Sequence, residues 1–149
     1  MDIRWLGHAA FELKHGGVTV LVDPFITGNP VATVEPDALE ADAILLTHGH
    51  ADHFGDVVSI AKRTGATVQA ITEIAEELSG DVEVIDTNLG GTASYDWGSV
   101  RLVPAWHTSD LALPGRRKQI DIEVVCIGGH YTMDREDAVV AAGLIGASA

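Results

Sequence analysis

Short apolar runs separated by turn residues occupy the N-terminal part of the chain. The runs are rich in the β-branched and aromatic residues that are typical of strands. Only His15-Gly16-Gly17, a hairpin turn sequence, separates the second run from the third. The third ends at Asp23-Pro24, where proline removes the backbone donor that further pairing needs. We therefore expect an opening strand followed by a hairpin, over residues 3–6, 10–14 and 18–22.

The apolar run Ala43–Leu46 predicts a fourth strand, and a polar loop follows it. Residues 54–63 then carry apolar side chains at helical intervals and precede Gly65, a glycine in the position that ends many helices. A strand over residues 66–70 comes next, and Thr72 is expected to cap a short acidic helix. This order predicts a unit of strand, loop, helix and strand.

Strand-like runs return between residues 82 and 103 and predict hairpins. They cover residues 82–85, 90–95 and 100–103, and Pro104 is expected to end the last of them. A further run over residues 122–127 predicts one more strand. Because no linker-like segment divides the chain, we expect a single domain over residues 1–149.

The chain is strongly acidic, with 22 carboxylate side chains, 9 basic ones and a net charge of −13. Phosphate binding draws on clustered Lys and Arg, so this balance argues against a nucleic-acid partner. No apolar run approaches the roughly 20 residues that cross a bilayer, and the first strand is not preceded by an export signal. We therefore expect a cytoplasmic protein with no membrane partner, and the sequence leaves a homo-oligomer open.

Three of the seven histidines lie in one seven-residue stretch, Thr47-His48-Gly49-His50-Ala51-Asp52-His53. Neutral imidazoles and a carboxylate are the ligands that zinc accepts, and manganese or iron are the alternatives. In an extended turn the side chains at positions 48 and 50 fall on one side, whereas on a helix they would diverge. The stretch therefore predicts a loop that binds a divalent metal; the alternative is a polar loop in which histidines happen to cluster.

The pattern H-x-H-x-D-H resembles the signature of the metallo-β-lactamase superfamily. Four further stretches are similar to the branch that contains ascorbate-6-phosphate lactonase-like hydrolases and many uncharacterised metal-dependent hydrolases: 5–9, 21–25, 104–108 and 127–133. The resemblance implies an α/β fold, an αββα sandwich of two sheets between helices. It also implies that the C-terminal half is abbreviated.

The resemblance implies a role for each of eight residues. One metal is bound by His48 and His50, with His107 as a further ligand, and Asp52 and His53 belong to a second metal position. Asp23 orients a metal-binding imidazole. His8 and His130 line the substrate pocket, and Asp52 and His130 are the catalytic candidates.

The residues themselves leave a plainer alternative open for four of these positions. Asp23 could cap a turn, and His8 could be an ordinary surface histidine. His107 could emerge from a strand end without binding anything, and His130 could cap backbone groups there.

Two ligands of complete superfamily members have no counterpart in this sequence. These are an aspartate in a Gly-Asp-Thr turn, which bridges both metals, and a last histidine near the C-terminus. Residues 108–119 are expected to be too few for the strand pair and the bridging turn. Asp110 and Asp121 are the nearest carboxylates, and we assign neither a role. We therefore expect about one metal ion per chain.

The pattern predicts a hydrolase in which metal-bound hydroxide attacks an ester, lactone or phosphodiester of a small-molecule substrate. A different class stays open because of the missing ligands: a shortened paralogue that binds metal or ligand with little or no turnover. A scaffold without metal would leave every one of these histidines idle.

Overall fold

The computed structural model describes residues 1–105, 109–113, 116–120 and 123–127, and beyond residue 105 it describes only the side chains of Asp110 and Leu111. The strands within these residues are β1 (Asp2–Gly7), β2 (Ala10–His15), β3 (Val18–Val22), β4 (Ala43–Leu45), β5 (Thr67–Ala70), β6 (Val84–Asp86), β7 (Thr92–Tyr95), β8 (Gly98–Ala105), β9 (Ser109–Leu113), β10 (Arg116–Ile120) and β11 (Glu123–Ile127). The α-helices are α1 (Ala51–Phe54), α2 (Val57–Thr64) and α3 (Thr72–Leu78), and a 3-10 turn covers Pro36–Ala38.

Strands β1 to β6 form one mixed sheet in sequence order. The pairs β1–β2 and β2–β3 are antiparallel, as the predicted opening strand and hairpin require, and β3 to β6 are parallel. Parallel neighbours need crossover connections, and α2 and α3 are the crossovers that follow β4 and β5. Because such crossovers are right-handed, both helices lie on the same face of the sheet. Each helix buries residues at helical spacing against it: Val57, Ile60 and Ala61 from α2, and Ile74, Ala75 and Leu78 from α3.

A second sheet, in the order β7–β8–β11, faces the first. Gln69 of β5 joins the two: its Nε2 donates to Val100 O at 3.4 Å and to Thr87 Oγ1 at 3.1 Å, and its Oε1 accepts from Tyr95 Oη at 2.8 Å. The side chain is fully buried, so each of these bonds prevents the cost of an unpaired polar group. The buried Gln69 side chain thus connects the two sheets through hydrogen bonds within the core.

The helix that was expected over residues 54–63 begins only at Val57. Gly55 interrupts it with a φ of +28°, and residues 51–54 form the separate turn of helix α1. The second half of the histidine motif is therefore helical, which corrects the expectation of a continuous loop. Thr72 is likewise the first helical residue of α3 and not its cap, because the capping position is Ile71.

The region after residue 82 differs from the expected run of hairpins in three respects. Strand β6 pairs in parallel with β5, and only β7 and β8 form a hairpin there. Pro104 lies inside β8: β7 pairs with this strand only as far as Arg101, so on that side no ladder bond is lost to the proline. The segment expected to be too short for a strand pair contains the hairpin β9–β10.

No helix in the described part of the chain is long and apolar enough to cross a bilayer.

We expect Gly55→Ala to lower the free energy of unfolding by about 3 kcal/mol. A Cβ at this position would lie 2.6 Å from Phe25 Cα, and overpacking of this kind costs about 1–3 kcal/mol. The positive φ adds strain of about 1–3 kcal/mol for a residue with a side chain. Denaturant unfolding measures the effect. Gly80→Ala is the control, because a Cβ there meets nothing within 4 Å, and it should change stability by less than about 0.5 kcal/mol.

Candidate metal site

The candidate residues converge at one end of the first sheet. Strands β3 and β4 are parallel neighbours, so their carboxyl ends meet at the same edge. Asp23 follows β3, the loop from Thr47 to His50 follows β4, and α1 carries Asp52 and His53. His8 enters from the turn between β1 and β2, and Asp110 enters from β9. Because the loop runs directly into α1, four separate segments supply the site.

Asp23 is the hydrogen-bond acceptor at the base of the site and is only 2% exposed. It accepts from Thr47 N at 2.8 Å, from Thr47 Oγ1 at 2.6 Å and from His53 Nδ1 at 2.8 Å. Its φ of +43° is unusual, and Asp is one of the few residues that tolerates this region. Because a carboxylate only accepts, the neutral His53 ring carries its proton on Nδ1 and its lone pair on Nε2.

The same reasoning fixes the tautomer of His48. Thr47 Oγ1 has one hydrogen, which it donates to Asp23, so toward His48 it can only accept. The 2.9 Å contact between Thr47 Oγ1 and His48 Nδ1 therefore places the proton of His48 on Nδ1. His48 Nε2 carries a lone pair and lies 3.0 Å from His50 Nδ1. Asp23 thus sets the protonation of two imidazoles, one directly and one through Thr47.

His50 lies between His48 and a carboxylate that sequence reasoning left without a role. Its Nε2 is 3.3 Å from Asp110 Oδ1, while its Nδ1 faces His48. Gly49 permits this approach of β9, since a Cβ there would lie 2.8 Å from Asp110 O. A carboxylate on the far nitrogen orients a metal-binding imidazole and raises its basicity. The sequence contained one signal for a role of Asp110 in the site, because this residue follows the predicted ligand His107 by three residues.

Asp52 and His8 form the more exposed side of the site. Asp52 Oδ2 lies 3.1 Å from His8 Nε2, and the two side chains are 52% and 45% exposed. Partial burial by itself raises the pKa of Asp52, but the backbone N–H at Asp52 and the imidazoles of His53, His8 and His50 lower it below its ordinary value overall. Asp52 is therefore an ionised acceptor at neutral pH.

The donors present fit a divalent metal. One ligand atom each from His8, Asp52 and His53 lie within 4.8 Å of one another, and the same holds for Asp23, His48 and His53. In the second group the oxygens of Asp23 already accept three hydrogen bonds, so Asp23 serves better as the group that orients His53 than as a ligand. Imidazole nitrogens with fixed lone pairs, beside an ionised carboxylate, are the donor set of zinc, manganese or iron sites.

The structure brings together six of the eight residues singled out from the sequence: His8, Asp23, His48, His50, Asp52 and His53. His107 and His130 lie outside the described residues, and their roles stay predictions.

Comparison with known proteins identifies the family. A family model described as the metallo-beta-lactamase superfamily matches residues 3–136. The chain belongs to this superfamily. A UPF0173 metal-dependent hydrolase from Ligilactobacillus salivarius is 39% identical over 97% of this chain and 80% of its own length. Another relative of the same description, from Archaeoglobus fulgidus, is 54% identical over 74% of this chain but only 48% of its own length.

Solved structures confirm the predicted fold class. Igni18, a metallo hydrolase from Ignicoccus hospitalis, is 28% identical with a TM-score of 0.71, and the match covers 96% of this chain and 77% of that one. CmlA, a diiron β-hydroxylase from Streptomyces venezuelae, is 20% identical with a TM-score of 0.65 over 97% of this chain and 32% of that one, and it supports the fold alone. This protein therefore has the metallo-β-lactamase fold.

The alignments also show that two of the relatives carry internal residues that this chain lacks. They run over 176 positions with the Ligilactobacillus salivarius relative and 188 with one from Oenococcus oeni, although the chain has 149 residues. An alignment that has more positions than this chain has residues must contain gaps in the sequence of this chain. The chain is therefore shorter within the matched region than these two relatives, and an abbreviated C-terminal half stays a prediction.

Proposed function

We propose that this chain is a metal-dependent hydrolase that cleaves a carboxylic ester or lactone of a small-molecule substrate. His48, His50 and His107 would hold one divalent ion, with zinc as the first choice and manganese or iron as alternatives. The observation that carries the proposal is the hydrogen-bond chain from Asp23, because it assigns the proton of the neutral ring to Nδ1 in both His48 and His53 and makes Nε2 the nitrogen with which each would bind a metal. A site without metal would gain nothing from fixing two imidazoles in this way.

A bound divalent ion would lower the pKa of a coordinated water to about 7 and polarise a carbonyl oxygen. The residues of the chain supply the positioning. Asp110 would orient His50 through Nε2, and Asp23 orients His53 through Nδ1. Asp52 is ionised and partly exposed, so it can accept a hydrogen bond from the attacking water and take up its proton.

The remaining candidate residues would contact the substrate. His8 is nearly half exposed at the edge of the site, and its ring lies edge-on to Phe25 with centroids 6.2 Å apart. His130 is proposed as a wall residue of the active site on the resemblance alone. The acidic composition favours a small molecule over nucleic acid as the partner, and we propose the cytoplasm as the location.

A second candidate function is a metal-binding or ligand-binding paralogue with little turnover. The observation in its favour is the set of internal residues present in relatives and absent here. These include, by resemblance, the bridging aspartate that would position a substrate oxygen. Metal binding is common to both candidates, so only turnover separates them.

We expect chelator-sensitive hydrolysis of activated esters and lactones by the metal-loaded protein, with weaker activity on phosphodiesters. Release of p-nitrophenol and the opening of simple lactones measure it, before and after treatment with EDTA and readdition of zinc or manganese. Asp52→Asn should lower kcat by about 100-fold or more while the ion held by the histidines stays bound.

Absence of hydrolysis across the panel, with metal shown to be bound by elemental analysis, would instead favour the binding paralogue. His15→Ala is the matched control, because His15 lies at the far end of β2 and outside the site.

A further inference from the structure

We propose that His8 is a metal ligand, and that with Asp52 and His53 it forms a second divalent-cation site in place of the bridging aspartate and the last histidine that this sequence lacks. One ligand atom from each of the three residues lies within 4.8 Å of the others. His8 Nε2 and Asp52 Oδ2 are only 3.1 Å apart. The inference rests on the proposed function in that the two ions would be held by neighbouring residues of one site, and it revises both the expectation of one ion per chain and the substrate-contacting role proposed above for His8.

The state of His53 is the first support for this site. Its Nδ1–H is donated to Asp23 at 2.8 Å, so Nε2 is the nitrogen with which His53 would bind a cation. The His53 ring also lies beside that of His8, with centroids 5.0 Å apart and an interplanar angle of 71°. A buried carboxylate therefore orients the imidazole of His53, and the ring of His8 lies beside it. Metal-binding histidines are commonly oriented by a carboxylate in this way.

The placement of His8 is the second support. Its φ of +52° is one of two positive values at non-glycine residues in the described part of the chain, and the other belongs to Asp23. Trp5 Nε1 donates to His8 O at 2.8 Å and holds the turn after β1 in this conformation. Gly7 precedes it with a φ of +115°. Both non-glycine residues with a positive φ thus belong to this site, where His8 lies beside Asp52 and Asp23 accepts from His53.

A plain ion pair between His8 and Asp52 is the competing explanation. Both side chains are about half exposed, and ion pairs of this kind contribute little to stability. An ion pair also makes no use of His53. A cation site uses all three side chains, and two imidazoles with one carboxylate form a donor set that zinc, manganese and iron accept while a position stays open.

The number of ions bound by the full chain tests the proposal. Apoprotein prepared with a chelator is titrated with Zn²⁺ by calorimetry, and the metal content is then measured after gel filtration. We expect two equivalents for the wild-type protein and one for His8→Asn, with affinity for the second ion lowered at least 100-fold. Asparagine is chosen because it tolerates a positive φ better than other residues, so the turn is preserved. His15→Asn is the matched control and should retain two equivalents.

One equivalent in the wild-type protein, or two in His8→Asn with affinities within threefold of wild type, would overturn the proposal. Should His8→Asn fail to fold, wild-type protein with ¹⁵N-labelled histidine gives the same information. The Nε2 resonance of His8 should move with the second equivalent of Zn²⁺, and a resonance that does not respond would exclude His8 as a ligand. Both readouts are independent of turnover, so a protein with two ions and no hydrolysis would contradict the proposed function and leave this site intact.

Discussion

Replacing His48 with alanine should abolish tight binding of the first metal ion and, with it, chelator-sensitive hydrolysis. His48 is only 5% exposed, and its tautomer is fixed by Thr47 so that Nε2 faces His50. Loss of an orienting partner alone lowers metal affinity by about 10- to 100-fold. Loss of the ligand itself should exceed that, so we expect affinity to fall by more than about 100-fold.

Competition with a chromophoric chelator measures this affinity, and circular dichroism shows whether the fold is retained. His15→Ala removes an imidazole outside the site and should leave affinity unchanged. If His48→Ala binds the first ion within tenfold of the wild-type protein, the ion must be held by other residues, and the assignment of the histidine motif would be wrong.

The sequence could predict the strands of this fold well because their apolar runs are short and bounded by turn residues. β2 and β3, on either side of His15-Gly16-Gly17, lie within one residue of their expected bounds. The errors arose where tertiary contacts decide the local structure. Gly55 breaks the expected helix with a positive φ, at a point where Phe25, thirty residues away, leaves no room for a side chain. Likewise, β6 joins β5 because α3 carries the chain back in parallel, which no local pattern indicates.

The candidate site was predictable where ligands are close in sequence and not where they converge from distant segments. The motif from His48 to His53 is compact, and its partner Asp23 was expected at the end of a strand. Asp110 was noted only as a nearby carboxylate, because its contact with His50 depends on the path of β9. His8 was expected to line the pocket, and only its distance from Asp52 and His53 suggests a ligand.

Asp23→Asn should lower metal affinity by about 10- to 100-fold while the fold is largely preserved. Asparagine has the same shape and tolerates the φ of +43° at this position, so the backbone should not change. Its Oδ1 can still accept from Thr47 N. Its amide NH₂, however, would face Thr47 Oγ1 and His53 Nδ1, where the carboxylate accepted two hydrogen bonds. Because the amide nitrogen donates, the substitution favours a His53 that is protonated on Nε2, and that nitrogen then has no lone pair for metal.

The tautomer and the affinity can be measured on the same Asp23→Asn protein. ¹⁵N spectra of labelled histidine report which nitrogen of His53 carries the proton, and chelator competition reports the affinity. Asp56→Asn is the matched control: this buried carboxylate also accepts three hydrogen bonds, and they come from Ile26 N, Thr27 N and Thr27 Oγ1 rather than from a histidine. It should lower the free energy of unfolding by about 1–3 kcal/mol and leave metal affinity unchanged. An Asp23→Asn protein that retains Nδ1–H on His53 and wild-type affinity would show that the hydrogen-bond chain from Asp23 does not prepare the imidazoles for metal.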